Sequence, residues 1–152
     1  MNNYEINENT MAVISLNQNE SKIIEKDREY SIKKSGYDVM DNSCQYFGSS
    51  YQGRVDGSRS ILNAKYKLPI VVEESKNLIF FPTESPDLET CSWLSLKDIE
   101  KVVEIEGKTI VLFKNDLEVE SPISKFSIEN QILRASRLEY ILRDRKNIIK
   151  KG

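Results

Sequence analysis

Short apolar stretches separated by turn residues run through most of the chain. Clusters of Asn, Ser, Gly and Pro interrupt them at the spacing of β-hairpins. This pattern is typical of antiparallel strands. The first series of predicted strands covers residues 11–16, 22–26 and 30–32, and the second covers residues 70–72, 78–81, 91–94, 102–105, 109–113 and 117–119.

Two regions break this β pattern. Residues 47–66 are rich in glycine and serine, and they are predicted to form a loop with one or two short helices. Residues 127–149 have a long helical pattern, with Ser127 as the predicted N-cap and basic residues in the last turns. One apolar stripe of this helix should face the sheet, and Arg134, Arg137 and Arg145 should share an exposed flank beside it. The stripe comprises Ile128, Ile132, Ala135, Leu138 and Leu142.

These elements predict one α+β domain over residues 1–152, a length typical of a single domain. Its parts are an antiparallel β-sheet, a short central helical segment and a C-terminal amphipathic helix packed on the sheet. Cys44, Cys91 and Trp93 are predicted to be core side chains rather than reactive or ligand-stacking groups.

The composition is that of a folded soluble protein, with 39% hydrophobic and 30% charged residues. No apolar run reaches the ~18 residues that span a membrane, and residues 1–15 do not resemble a signal peptide, so a cytoplasmic location is predicted. The chain has no histidine, which excludes Ser-His-Asp and Cys-His catalysis and His-ligated metals. The sequence therefore predicts a protein that is not an enzyme, with no catalytic residue, metal or cofactor.

Charge is unevenly distributed although the net charge is only −2. Residues 44–72 carry four basic and one acidic side chain, and residues 121–152 carry eight and three. Residues 73–120, by contrast, carry five basic and twelve acidic side chains. If the two basic segments share a face, they form a surface for a polyanion despite the net charge. The alternative is that the segments mix on folding and no basic patch exists.

Residues 48–55 have the glycine spacing of a phosphate-binding P-loop. Arg54 stands where that motif requires lysine, however, and Val55 stands where it requires Ser or Thr for magnesium, so nucleotide hydrolysis is not expected. A glycine turn entering a helix can still offer backbone N–H groups to a nucleic-acid phosphate. The alternative is a tight turn that needs glycine for its backbone angles. Just before it, Asp38 and Asp41 are interpreted as a solvated turn, and residues 44–47 as a strand.

Several strings together resemble the ComK family, the competence transcription factors of low-GC Gram-positive bacteria. They occur in the same order as in that family and extend over most of the chain. The strings are residues 21–27 (SKIIEKD), 43–54 (SCQYFGSSYQGR), 67–72 (KLPIVV), 79–83 (IFFPT), 91–95 (CSWLS) and 127–132 (SIENQI), of which 43–54 is the most specific.

The resemblance implies a homodimeric or dimer-of-dimers activator that binds paired A/T-rich boxes from the minor groove and activates DNA-uptake and recombination genes. A narrow A/T-rich minor groove attracts arginine, and Asn or Gln suits its degenerate acceptor pattern. Double-stranded A/T-rich DNA is therefore the expected partner. The residues expected to contact it are Ser49, Ser50, Gln52, Arg54, Arg59, Lys65, Lys67, Arg134, Arg137 and Arg145.

The C-terminus departs from the longer members of this family. Those members continue past the region that matches Arg145 with a tail recognised by an adaptor of a Clp protease, whereas this chain stops at Gly152. An adaptor of a Clp protease is thus a candidate partner that the resemblance alone does not carry over. The alternative function is a shortened ComK-like regulatory or protein-interaction module without DNA binding, with the acidic residues 73–120 as its partner surface.

Overall fold

The computed structural model describes residues 3–151, and the side chains of residues 3–148. In that part of the chain, nine strands form two antiparallel sheets. The larger sheet has six strands in the order β3-β2-β1-β6-β5-β4, and the smaller has three in the order β7-β8-β9. The strands are β1 Thr10–Asn17, β2 Glu20–Glu25, β3 Glu29–Ile32, β4 Ile70–Glu73, β5 Leu78–Pro82, β6 Trp93–Ser95, β7 Ile99–Ile105, β8 Lys108–Phe113 and β9 Glu118–Ser121.

Three α-helices accompany these strands, together with a 3-10 turn at Leu96–Asp98. Serine side chains cap the helices, as their short hydroxyls allow. Ser35 accepts a hydrogen bond from the Asp38 backbone N–H (3.1 Å), and Ser124 accepts one from that of Ser127 (3.2 Å). The helices are α1 Gly36–Tyr46, α2 Tyr51–Leu62 and α3 Lys125–Lys151.

The six-stranded sheet is covered on both faces. Alternate residues of a strand point to opposite faces, so in β5 Leu78 and Phe80 join one hydrophobic cluster while Ile79 and Phe81 join another. The first cluster includes the buried side of α1 and Trp93, which is fully buried. The second contains the apolar stripe of α3 together with buried residues of β7 and β8. Helix α3 and the small sheet therefore cover the face opposite α1.

The predicted α+β fold, antiparallel strands and C-terminal helix are confirmed. The burial of Cys44, Cys91 and Trp93 is confirmed as well. The apolar stripe of α3 also lies where it was expected: three members are fully buried and Ile132 and Leu142 pack against them.

Three local predictions were wrong. The predicted single sheet is two sheets, because hairpin spacing identifies strand pairs but not which pairs share a sheet. Residues 38–47 are not a turn and a strand: α1 runs through Tyr46, with Val39, Met40 and Cys44 on its buried side. Helix α3 begins two residues before the predicted N-cap, since Ser124 rather than Ser127 caps it.

A buried carboxylate joins the N-terminal segment to the end of β2. The Tyr4 hydroxyl donates to Glu25 Oε2 (2.6 Å), Arg28 Nε donates to Oε1 (3.0 Å), and Glu25 is only 2% exposed. Burial acts to raise the pKa of Glu25, but hydrogen bonds from Tyr4, Tyr30, Arg28 and Asn7 outweigh it and hold the pKa below its ordinary value. The ionised form is thus stabilised by folding.

We expect Glu25→Gln to lower the free energy of unfolding at pH 7 by about 1.5–3 kcal/mol, because these hydrogen bonds lose their charged acceptor. A depressed pKa stabilises the fold fully above the unfolded-state value, about 4.3, and this contribution disappears as the pH falls through the lower folded-state value. Urea unfolding of the wild-type protein and Glu25→Gln between pH 7 and pH 3 should therefore show that the difference in their free energies of unfolding decreases in acid. The exposed Glu29 supplies the control, Glu29→Gln, which should stay within about 0.5 kcal/mol. A difference that is constant with pH would contradict this role.

Candidate nucleic-acid interface

Helix α2 passes over the β4 edge of the six-stranded sheet. Tyr51 and Val55, in its first half, pack with the cluster on the α1 face, whereas Ile61 and Leu62, at its end, pack with the cluster on the α3 face. The helix ends at Asn63, whose left-handed backbone (φ 53°) turns the chain. The residues that follow, 63–67, thus reach the side of α3, and they are called the basic turn below.

Two side chains of α3 hold this basic turn in place. Arg134 donates to the carbonyl oxygens of Tyr66 (2.7 Å) and Lys67 (3.2 Å). Gln131, which is 2% exposed, donates to the carbonyl oxygens of Lys67 and Pro82, both at 2.8 Å. The two basic segments of the sequence therefore meet here, and Arg134 is half-buried rather than on the predicted exposed flank.

An open groove of ≈ 1160 Å³ lies beside α2 and the basic turn. Its lining includes Tyr37, Tyr51 and Leu68, and is therefore partly aromatic. The segment 85–89 contributes two carboxylates to its lining, from Asp87 and Glu89. Four residues predicted to contact DNA line the same groove and are exposed: Gln52, Arg59, Lys65 and Lys67.

The other predicted cations lie along α3. Lys67 and Arg134 share a smaller adjoining groove of ≈ 330 Å³, which makes Arg134 continuous with the basic turn. Arg137 and Arg145 are exposed. Arg145 is eleven residues beyond Arg134, about 16 Å along the helix axis at 1.5 Å per residue. The ten predicted residues thus do not form one compact site.

The N-terminus of α2 is occupied by the protein's own groups. Ser50 accepts from the Gly53 N–H (2.9 Å), and Asp41 of α1 accepts from the Tyr51 N–H (2.8 Å). Gly48 has φ +89°, so the turn that precedes α2 requires glycine at this position. A carboxylate already sits where a phosphate would bind, and therefore the geometry favours the structural alternative for Ser49 and Ser50.

Arg54 is half-buried in the same region. Its guanidinium donates long hydrogen bonds to the carbonyl oxygens of Phe47 (3.5 Å) and Val72 (3.4 Å). Its Nε is buried and has no acceptor among the residues that the structure describes. Arg54 therefore links the α1–α2 turn to β4, and its assignment to DNA remains a prediction that this geometry does not favour.

Both cysteines of the described chain lie in the core. Burial raises the pKa of the Cys44 thiol to about 12 and that of the Cys91 thiol to about 11, so both are protonated at neutral pH. Within residues 3–148, no cluster of three or more His, Cys, Asp or Glu side chains could hold a metal ion. None of the helices in the described part of the chain is long and apolar enough to cross a membrane.

Comparison with known proteins gives two matches. The family model described as ComK protein matches residues 1–147. The competence transcription factor of Bacillus subtilis (strain 168) is 36% identical over 149 residues, which cover 95% of this chain and 78% of that protein. No solved structure matches the chain.

We expect Arg54→Ala to lower the free energy of unfolding by about 1–2 kcal/mol, because two backbone carbonyls lose a charged donor in a half-buried position. Arg59→Ala is the matched control on the same helix. Its ion pair with Asp56 (2.9 Å) is exposed, so the change should cost no more than about 0.5 kcal/mol. Urea unfolding of both variants makes the comparison. Wild-type stability of Arg54→Ala would instead leave this arginine free for DNA.

Proposed function

The chain belongs to the ComK family, and from that premise we propose that it is a transcription activator that binds A/T-rich promoter boxes through the minor groove. Its targets in this proposal are genes of DNA uptake and recombination, and its place of action is the cytoplasm. The observation that carries the proposal is the convergence of Arg59, Lys65 and Lys67 at the end of α2, beside α3.

Separation of charge allows this surface to attract DNA in a chain of net charge −2. The basic turn lies on one flank of α3, where Arg134 holds it. The other flank of α3 faces the small sheet, whose outer strands expose many carboxylates. At 0.1 M salt, screening limits the range of interactions between exposed charges to about 10 Å. The local cations, and not the net charge, therefore govern what binds at the basic turn. The exposed carboxylates of the small sheet include Glu100, Glu104, Glu118 and Glu120.

The side chains at this surface suit a minor groove. A·T and T·A pairs present nearly the same acceptors there, so a protein reads groove width and potential rather than individual bases. Arg59 and the two lysines supply donors and positive charge, and Gln52 can donate to the A and T acceptors. Arg59 gives up only an exposed ion pair with Asp56 when it turns to DNA, which costs little.

The carboxylates of Asp87 and Glu89 orient the proposed complex. Both line the same groove as Arg59, Lys65 and Lys67. A duplex filling that groove would bring phosphates against them and be repelled. In the proposed complex the DNA therefore runs along the ridge formed by the end of α2 and the basic turn. The two carboxylates lie at one side of this path.

The proposal predicts that the protein binds an A/T-rich duplex more tightly than a G/C duplex of equal length, with an affinity that falls steeply between 50 and 200 mM salt. Lys65→Gln with Lys67→Gln should weaken binding and reduce the salt slope by about 1.8, since each phosphate contact contributes about 0.9. Fluorescence anisotropy titrations measure both quantities.

The matched control is Lys101→Gln with Lys108→Gln, which removes two exposed lysines of the small sheet and should leave binding unchanged. Equal affinity for the two duplexes would refute minor-groove selectivity. A folded protein that binds neither duplex would favour the alternative, a ComK-like interaction module without DNA binding, for which the acidic small sheet is the available partner surface.

A homodimer is the second part of the proposal. Phe126, Leu133 and Tyr140 recur every seven residues on the outward side of α3, and each is two-thirds or more exposed. If a second copy packs antiparallel with Leu133 at the two-fold axis, Phe126 meets Tyr140 of the second copy. Glu129 then lies at the same height as Arg137 of the second copy, both being exposed and four residues from Leu133. This self-complementarity is what an isologous interface requires, and it assigns Arg137 to the dimer rather than to DNA.

We expect Leu133→Glu to convert the dimer to a monomer, because two carboxylates would be buried together at the axis. Ile105→Glu, on an exposed position of the small sheet, is the control. The exchanges Glu129→Arg and Arg137→Glu should each weaken the dimer, and combining them should restore it. Analytical ultracentrifugation gives the masses; an unchanged mass for Leu133→Glu, or a wild-type monomer at every concentration, would eliminate this interface.

A further inference from the structure

We infer that Tyr66 is a base-stacking residue, whose ring enters the nucleic-acid groove and stacks against or wedges between bases. This inference rests on the proposed DNA-binding function and deepens it. It assigns the only side chain of the basic turn that carries an aromatic ring to a contact that charge alone does not provide.

Tyr66 is unusually exposed for an aromatic side chain. Its exposed fraction is 78%, the highest among the exposed large hydrophobic residues of the described chain. Tyr51 and Trp93 show the opposite behaviour: they are buried, and Trp93 Nε1 donates to the Tyr51 hydroxyl (3.1 Å). A single exposed aromatic is not informative by itself. What distinguishes Tyr66 is the backbone that presents it.

That backbone is fixed at both ends of the turn. Asn63 and Lys67 both have left-handed backbones, with φ of 53° and 49°. The Tyr66 carbonyl accepts from Arg134, and the Lys67 carbonyl accepts from Arg134 and from the buried Gln131. The next residue, Leu68, is buried. Because the turn is already ordered, little conformational entropy is lost when its ring engages a ligand.

The neighbours of Tyr66 identify a nucleic acid as the ligand. Exposed Lys65 and Lys67 flank the ring in sequence, and Arg59 lies in the same groove. An apolar protein surface placed over the ring would leave these cations unneutralised. DNA offers phosphates to the lysines and a base face to the ring. Proteins that enter the minor groove commonly insert an apolar side chain between base steps in this way.

Stacking by Tyr66 also gives a physical source for A/T selectivity. TA steps unstack more readily than other steps, so opening one for a ring costs less than opening a G/C step. The selectivity then needs no hydrogen bond to a base. In this arrangement Arg134 is a positioning residue: it orients the turn that presents the ring and makes no DNA contact itself.

The test uses A/T-rich duplexes with 2-aminopurine at a TA step, whose fluorescence rises when the base unstacks. Wild-type protein should raise the fluorescence on binding. Tyr66→Ala should abolish most of that rise and weaken binding about 5- to 50-fold, within the range of alanine substitutions at stacking residues. The salt slope should not change, because no charge is removed. Tyr66→Phe keeps the ring and should behave like wild type.

Tyr46→Ala, which removes another exposed tyrosine (66% exposed) at the end of α1, is the control and should leave binding and fluorescence unchanged. Wild-type affinity and fluorescence for Tyr66→Ala would overturn the inference and leave the proposed function standing. Failure of the wild-type protein to bind any duplex would overturn both. A reduced salt slope for Tyr66→Ala would mean that the lysines had moved, and this too would overturn the stacking role.

Arg134→Lys tests the positioning role, because it keeps the charge but loses the guanidinium fork that holds two carbonyls. We expect Arg134→Lys to lose most of the rise in 2-aminopurine fluorescence, as Tyr66→Ala does. The double variant should bind DNA no more weakly than Tyr66→Ala alone, since both changes remove the same contact. Additive losses would show that Arg134 contacts DNA independently of Tyr66.

Discussion

The burial of both faces of the six-stranded sheet is the constraint on which the candidate interface depends. All five residues of β5 are buried, so the chain must supply a cover on each side of the sheet. Helix α1 covers one face and α3 the other. Helix α2 lies past the edge strand β4 and packs with the hydrophobic clusters of both faces. The end of α2 is thereby fixed against α3. The position of the basic turn is thus a consequence of core packing, and loss of α3 docking would release it.

Electrostatics at this surface divides the arginines into two kinds. Arg59 is exposed and its ion pair with Asp56 is a weak one, so its guanidinium can turn outward to a ligand. Arg134 instead donates hydrogen bonds to backbone carbonyls of the turn, and partial burial lowers its pKa from the ordinary value. Arg54 also donates to backbone carbonyls, those of Phe47 and Val72, although its Nε has no acceptor among the described residues. Arginines that count equally in the net charge therefore differ in their contacts: Arg59 makes an exposed ion pair, whereas Arg134 donates to the backbone of the turn.

The sequence predicts most of the elements, whereas the geometry of the candidate site depends on contacts between distant parts of the chain. Alternating apolar residues locate the strands, and a 3.6-residue stripe locates α3, because both patterns reflect burial on one face. Helix α1 was missed although Val39, Met40 and Cys44 have the spacing of one helix face, because residues 44–47 were interpreted as a strand. Ser35 and Asp38, with serine–aspartate spacing typical of an N-cap, were a second available signal. The placement of Arg134 could not be predicted, because the carbonyls it binds come from residues 66 and 67, far away in sequence. For Tyr66 the signal was an aromatic residue between two lysines.

One rigid helix connects the proposed dimer to the proposed DNA surface. Arg134 follows Leu133 by one residue and so points about 100° around α3 from the outward stripe. In an antiparallel pair the two-fold axis lies perpendicular to the plane of the two helices, and it keeps the corresponding flank of each helix on the same side of the pair. Both basic turns then face the same way, each held by its own Arg134. The proposed dimer would thus present two minor-groove surfaces to one duplex at a fixed separation, as the paired boxes that the family resemblance implies would require. In the proposed complex, the fixed turn would make that separation a property of the protein, and affinity would then depend on the spacing of the boxes as well as on their A/T content.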